Sequence, residues 1–247
     1  MHLAPILKTI LQCALDTGEL PRDWRDANIS SIFIKGEKDL PENYRPVSLT
    51  SVTCKILEHI ICWHLLKHLE KNKILTNLNH GFWFGYSCET QLITTINDFL
   101  QEPDKGQQVG IAILDFSKAF DTVPHDKLLH KLEQYGIKGN IHSWLTNFLS
   151  TRTMRTIVEG ECSQEQSVDS WVTQGTVLGP IMFLCHINDL PHCVNSSVRL
   201  FADDCLLYRT IKRKKTTSHF KQTLNTLKDG QINGAWDSIL RNVMSCQ

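Results

Sequence analysis

The sequence has no net charge: 26 Lys and Arg balance 26 Asp and Glu. A strongly basic footprint, usual for proteins that grip nucleic acid over their whole surface, is therefore missing. It also lacks any run of eighteen or more apolar residues, which excludes a transmembrane helix. Residues 1–15 are mildly apolar but carry Lys8 and Gln12, with no basic segment ahead of them, so they do not read as a secretory signal. None of the nine cysteines forms a C-x-x-C pair. An odd count without a signal points to reduced thiols rather than a disulfide framework, and places the chain inside the cell, in nucleus or cytoplasm. The grouping Cys185, His186, His192, Cys193 has no common zinc spacing. Internal repeats and low-complexity linkers are missing too.

What is there is an ordinary globular composition over 247 residues, enough for one large domain or two small ones. Residues 3–15 read as a helix closed by Gly18 and Pro21. Residues 27–34 are rich in strand formers, and a charged turn follows over 35–43. Thr50 or Ser51 is placed to cap a long helix running to about Leu69, with Val52, Ile56, Leu57, Ile60, Ile61 and Leu65 at helical spacing. Leu92, Ile93, Ile96, Phe99 and Leu100 mark an amphipathic helix. The nearly continuous apolar run 109–114 is expected of a buried strand. Helices follow at Leu128–Tyr135, ended by Gly136, and at Ile141–Leu149. A β-hairpin is expected from 154–158 and 167–173 around Gly160. Pro180 suits the first turn of a helix reaching about Leu190. Strands and helices mix without strict alternation, so the fold class is α+β.

Two apolar runs, 198–201 and 205–208, enclose Ala202-Asp203-Asp204 and read as a tight hairpin with carboxylates at its tip. Adjacent carboxylates repel, and on buried strands they require a partner. Asp115 closes the apolar strand Ile111-Ala112-Ile113-Leu114. If that strand neighbours the hairpin, three hard oxygen donors meet at one edge, a set that suits Mg²⁺, with Mn²⁺ as the alternative. Taken alone, Asp203-Asp204 is more readily a polar turn than a metal site.

The surrounding segments resemble the reverse transcriptases of non-LTR (LINE-like, jockey and CR1 style) retrotransposons. The blocks run in family order: Leu20-Pro21-Arg22-Asp23-Trp24, Asn43-Tyr44-Arg45-Pro46-Val47-Ser48-Leu49, His80-Gly81-Phe82 and Leu114-Asp115-Phe116-Ser117-Lys118-Ala119-Phe120-Asp121. Then come Gln174-Gly175-Thr176-Val177-Leu178-Gly179-Pro180, Ile187-Asn188-Asp189-Leu190-Pro191 and Phe201-Ala202-Asp203-Asp204. The resemblance spans 20–247. It implies a right-hand polymerase with an N-terminal extension and fingers over 1–108, and a palm with interleaved helices over 109–247. It implies RNA template, DNA primer and deoxynucleoside triphosphates as partners, and leaves the oligomeric state open. Asp115, Asp203 and Asp204 match the metal-binding triad. Phe120 matches the aromatic gate against a ribose 2′-hydroxyl, a role compatible with packing in the core. Phe116, Ser117, Lys118 and Ala119 match the turn near the incoming phosphates. Arg45 and Lys35, with Lys38 as alternative to the latter, match the cations of the fingers. Gln174 and Gly175 match the block at nucleotide and template, where glycine permits close backbone approach. The basic run Arg209, Lys212–Lys215 reads as phosphate contact or as a solvated loop.

Several positions depart from the family pattern. Trp83-Phe84 stands where the family carries arginines, Trp171 where it carries glycine, and Ser245 where it carries lysine. A thumb is expected to be absent after Gln247, and an endonuclease before Met1. These departures leave two further readings open. One is an inactive remnant or repurposed nucleic-acid-binding module; the other, weaker, is a nuclease using the same metal site.

Overall fold

The computed structural model describes residues 3–101, 108–115, 120, 123–150, 152–158, 160–168, 175–211 and 242–246, with backbone alone for Asp115, Val168 and 242–246. The chain divides into two compact units, each built from two stretches: residues 1–74 with 123–182, and residues 75–122 with 183–247.

The first unit opens with α1 (Ala4–Thr17), which ends where Gly18 turns left-handed at φ 70°, and a short α2 (Arg22–Arg25). Strand β1 (Asp26–Phe33) leads through a 3-10 turn at Pro41–Asn43 into β2 (Tyr44–Leu49), its antiparallel neighbour. Strand β2 is not among the expected elements; in it Pro46 lies opposite Ser31. Helix α3 (Val52–Lys71) follows Ser51, whose hydroxyl meets the Thr53 hydroxyl at 2.8 Å and bonds no backbone N–H, so the expected side-chain cap is not made.

The second unit takes in α4 (Cys88–Gln101) and β3 (Gln108–Asp115). The chain then returns to the first unit with α5 (His125–Gln134) and α6 (Asn140–Leu149). Next come β4 (Arg152–Val158), β5 (Glu161–Cys162) and β6 (Gln166–Val168). The hairpin expected here is present: β6 pairs antiparallel with β4, Arg152 opposite Val168. The other edge of β4 pairs parallel with β1, completing a sheet ordered β2-β1-β4-β5 with β6 also on β4. Parallel partners need a long crossover, and here β1 and β4 are separated by β2, β3 and helices α3 to α6. Leu57, Ile61, Leu65, Leu69, Leu128, Leu132, Trp144, Leu145 and Phe148 are buried in this unit, each contributing about 1.5–3 kcal/mol. Trp144 stacks on Phe148 at 5.1 Å.

Helix α7 (Gly179–Ile187) stops short of the expected end at Leu190. Asn188-Asp189 forms a turn, because the Asn188 amide oxygen accepts the Thr76 N–H at 2.7 Å, and a separate α8 (Leu190–Cys193) follows. Strands β7 (Ser197–Phe201), β8 (Asp204–Ile211) and β9 (Asn242–Cys246) complete an antiparallel sheet ordered β7-β8-β3-β9. The α+β class holds. In α4 the expected helix is present; Gln91 and Thr95 are buried and Phe99 packs on Tyr208, while Leu92, Ile93, Ile96 and Leu100 are exposed. In α3, likewise, Val52, Ile56 and Ile60 are exposed. No helix among the described residues is long and apolar enough to cross a membrane.

Candidate active site

The three predicted carboxylate residues all fall in the second unit, at one end of its sheet. Antiparallel pairing runs from Gln108 opposite Ile211 to Asp115 opposite Asp204. On the far side of β8, Phe201 pairs with Asp204, leaving Ala202-Asp203 as a two-residue hairpin turn. The register thus sets Asp115 beside the first residue after the turn. Asp203 is half-buried and Asp204 is exposed. Buried Leu114 and Cys205, the pair next inward, anchor this edge, and burial pushes the Cys205 thiol upward so that it stays neutral beneath the carboxylates.

The turn has an unusual feature. Ala202 lies at φ 54°, a left-handed conformation that costs a residue with a Cβ about 1–2 kcal/mol. Such a φ suits a two-residue hairpin, whose turn must follow the strand twist. What holds it is the segment 78–82. Leu200 N–H donates to Leu78 O at 2.9 Å and His80 N–H to Leu200 O at 3.1 Å, a parallel bridge alongside β7. The Asn79 Oδ1 then accepts two backbone N–H groups, from Gly81 at 2.9 Å and from Ala202 at 3.1 Å. Both partners are donors, so the orientation of this amide is settled by chemistry. Gly81 lies so close beneath the turn that a Cβ on it would sit 2.1 Å from Ala202 N. The His80-Gly81-Phe82 block therefore owes its glycine to backbone contact with the aspartate hairpin. His80 bonds Thr90 Oγ1 at 2.9 Å and packs against Tyr86 at 4.2 Å; burial and the nearby Arg199 charge lower its pKa.

Phe120 is half-buried in the same unit. Its ring lies 4.6 Å from that of Phe183 and meets Phe82 edge-on at 6.2 Å. At the other end of β7 and β8, Asp98 accepts from Arg199 Nε at 2.8 Å and from the Tyr208 hydroxyl, tying α4 to the sheet. Burial first, and the Asp98 hydrogen bond second, push the Tyr208 phenol up to about 12. Of the departures noted above, Phe84 is 95% exposed and Trp83 is half-buried. Ser245 lies on β9 opposite Ala112.

The remaining predicted residues belong to the first unit. Lys35 is exposed in the bend after β1, where Ile34 N–H donates to Asn43 O at 2.8 Å. Lys38 lies with its ammonium 5.8 Å from the Phe33 ring centre. Arg45 is exposed on β2, opposite Ile32. Gly175 has φ 104°, and a Cβ there would meet Ser48 O at 2.6 Å. A side chain at this glycine would therefore collide with β2 of its own unit. Glu58, which the sequence reading passed over, is fully buried, and its Oε2 accepts N–H from Val177 at 2.7 Å and Leu178 at 3.2 Å, just before α7. Burial raises its pKa, against these hydrogen bonds and the Arg152 charge, which lower it. A glutamate on the face shared by Cys54, Leu57, Ile61 and Leu65 was the available signal. Asn79 was also missed; its signal was position alone, one residue ahead of His80-Gly81-Phe82. Phe116, Ser117, Lys118, Ala119, Trp171, Gln174 and Lys212–Lys215 lie outside the described residues.

Residues 34–235 match the family model for reverse transcriptase (RNA-dependent DNA polymerase). The chain is 30% identical over 186 residues, 75% of its length, to the RNA-directed DNA polymerase from mobile element jockey of Drosophila melanogaster. It is 29% identical over 238 residues, 92% of its length, to the probable RNA-directed DNA polymerase from transposon BS of the same organism. It is also 29% identical over 217 residues to a Pol polyprotein from type-1 retrotransposable element R2 of Popillia japonica. The aligned regions span 20%, 26% and 30% of these relatives' lengths.

Proposed function

The chain belongs to the reverse transcriptase (RNA-dependent DNA polymerase) family, and from that premise we propose that it is the fingers-and-palm portion of an RNA-directed DNA polymerase of a non-LTR retrotransposon. The reaction is attack of a primer 3′-hydroxyl on the α-phosphate of a deoxynucleoside triphosphate, with RNA as template. The observation that carries the proposal is the register of β3 and β8. It supports Asp115, Asp203 and Asp204 as one ligand set at a sheet edge. Carboxylates are the hard oxygen donors that Mg²⁺ selects, and three of them leave positions for water and phosphate oxygens. Bound there, a pair of divalent cations would supply an activated 3′-oxygen and neutralise the leaving pyrophosphate.

The chain's own residues do the rest. Phe120, packed against Phe183 and edge-on to Phe82, is the ring that would clash with a ribose 2′-hydroxyl. Phe116–Ala119 are the segment assigned to the incoming triphosphate, where exposed backbone N–H groups would hold an anion. Lys35 and Arg45 bind phosphate oxygens, Arg45 through its planar guanidinium fork. Gln174 and Gly175 are assigned to nucleotide and template; Ser48 crowds Gly175, and Glu58 holds the N–H groups of Val177 and Leu178 that follow it.

The test is primer extension on an RNA template with purified protein. Mg²⁺-dependent incorporation, lost in Asp203→Asn while circular dichroism stays unchanged, is the expected result. A folded protein with neither Mg²⁺- nor Mn²⁺-dependent incorporation would sink the proposal for this chain. It would favour the second reading, a nucleic-acid-binding module without catalysis, which Trp171 and Ser245 support.

A further inference from the structure

We propose that Asn79 is a positioning residue for the metal-binding aspartates, an inference that rests on the metal role given above to Asp203 and Asp204. Asn79 is 6% exposed and bonds no ligand of the site. Its Oδ1 accepts the N–H of Ala202, the residue immediately before Asp203, and the N–H of Gly81, which packs against the same turn. One acceptor thus joins two backbone segments: the aspartate turn and the loop beneath it. Its own backbone is bridged to Leu200 on β7, so the acceptor is mounted on the sheet. The turn it holds includes a left-handed alanine, a conformation that the isolated segment does not favour. Without the acceptor, two buried N–H groups lose their partner and Ala202 is released toward ordinary φ, which swings Asp203 out of line with Asp115 and Asp204. The Nδ2 of Asn79 has no partner among the described residues, so the recorded hydrogen bonds of this side chain are the two made by its oxygen.

The experiment is Mn²⁺ titration by electron paramagnetic resonance on the whole chain, comparing wild type, Asn79→Leu, Asn79→Asp and Asp203→Asn, each checked for folding by circular dichroism. Asp203→Asn should abolish the tight site. Asn79→Leu keeps the volume but removes the acceptor, and should weaken Mn²⁺ binding by about 10- to 100-fold, the usual penalty for losing a group that orients metal ligands. Asn79→Asp keeps an oxygen toward both amides and should bind at least as tightly as wild type. If Asn79→Leu does not fold, Asn79→Ser, too short to reach both amides, takes its place. Wild-type affinity in the folded Leu or Ser variant overturns the proposal. A tight site that Asp203→Asn leaves intact, or no tight site in wild type, overturns the metal reading instead. Amide hydrogen exchange then judges the clamp alone: exchange at Gly81 and Ala202 should be slow in wild type and fast in Asn79→Leu, and equal rates overturn the clamp itself.

Discussion

Gly81→Ala isolates the contact that shapes the site. The added Cβ would lie 2.1 Å from Ala202 N, 2.6 Å from its Cα and 2.9 Å from its Cβ. A tolerable separation begins near 3.0 Å, so the two backbones must part by about 1 Å. No side-chain rotation relieves a clash between backbone atoms, and Gly81 does not occupy a left-handed φ, so the whole cost comes from the collision. Forcing atoms into a packed site costs about 1–3 kcal/mol. For a chain of this size that lowers Tm by roughly 2–12 °C. The functional effect is larger, because the displaced residue precedes Asp203. A misplacement of about 1 Å costs on the order of 100-fold in rate. Thermal unfolding and single-nucleotide primer extension measure the two effects. Gly85→Ala is the control: Gly85 has φ 80° and no atom within 4 Å of an added Cβ, so it introduces backbone strain without collision. It should lower Tm slightly and leave extension intact. Full extension by Gly81→Ala would refute the claim that this contact sets the aspartate turn.

Phe120→Val removes the ring that lies between Phe183 and Phe82; ribonucleotide incorporation relative to deoxynucleotide should rise at least about 10-fold, and stability should fall by about 1–3 kcal/mol. Unchanged sugar discrimination with a lowered Tm would leave Phe120 as a packing residue only. Burial holds the Glu58 carboxyl above its ordinary range. A group raised on folding contributes stability that is full below its unfolded value, about 4.3, and lost as pH rises through the folded value. Wild type should therefore lose ground to Glu58→Gln in urea midpoints as pH is raised from about 4 toward neutrality. A constant difference across that range would show that Glu58 does not titrate as its burial requires. On α4, Ile93→Gln and Ile96→Gln replace side chains that are 68% and 55% exposed and should change stability by less than about 0.5 kcal/mol. A loss of 2 kcal/mol or more, on the order of a core truncation, would mean this face is packed after all.

Much of the fold was legible, for reasons that particular residues make plain. The apolar run 109–114 and the hairpin around Ala202-Asp203-Asp204 were readable because a two-residue turn leaves a period-2 pattern few alternatives, and their register follows from pairing alone. Gly136 ended α5 as glycine in a left-handed position does. Strand β2 was not legible, since Pro46 at a sheet edge looks the same as Pro in a turn. The burial of Gln91 and Thr95 in α4 was not legible either. Periodicity shows that a helix has an apolar face but not which face turns inward. Thr95, with its hydroxyl bonded to Gln91 O at 2.8 Å, can be buried as readily as a leucine.

The site itself was half legible, and the missing half shares one physical cause. The carboxylates, Phe120 and the cations at Lys35 and Arg45 were singled out because they stand in blocks that match the family's order. Asn79 and Glu58 carry no such signal, yet each uses one side-chain oxygen to hold two backbone N–H groups of a motif loop: Gly81 and Ala202 in one unit, Val177 and Leu178 in the other. The motif loops need this because they are turns, not ladders. Their N–H groups have no strand or helix partner, and a buried donor left alone costs about 1–3 kcal/mol. A turn that must be both buried and rigid therefore calls for an acceptor from elsewhere in the chain. Burial then separates the acceptor from a surface loop residue: Asn79 is 6% exposed and Glu58 0%. A polar residue that sequence assigns to a loop or to a helix core becomes a candidate for the site once it is seen buried with its oxygen on a motif's backbone. On that criterion Asn79, which holds the aspartate turn, and Glu58, which holds the N–H groups of Val177 and Leu178, are the residues whose substitution is to be compared with Asp203→Asn.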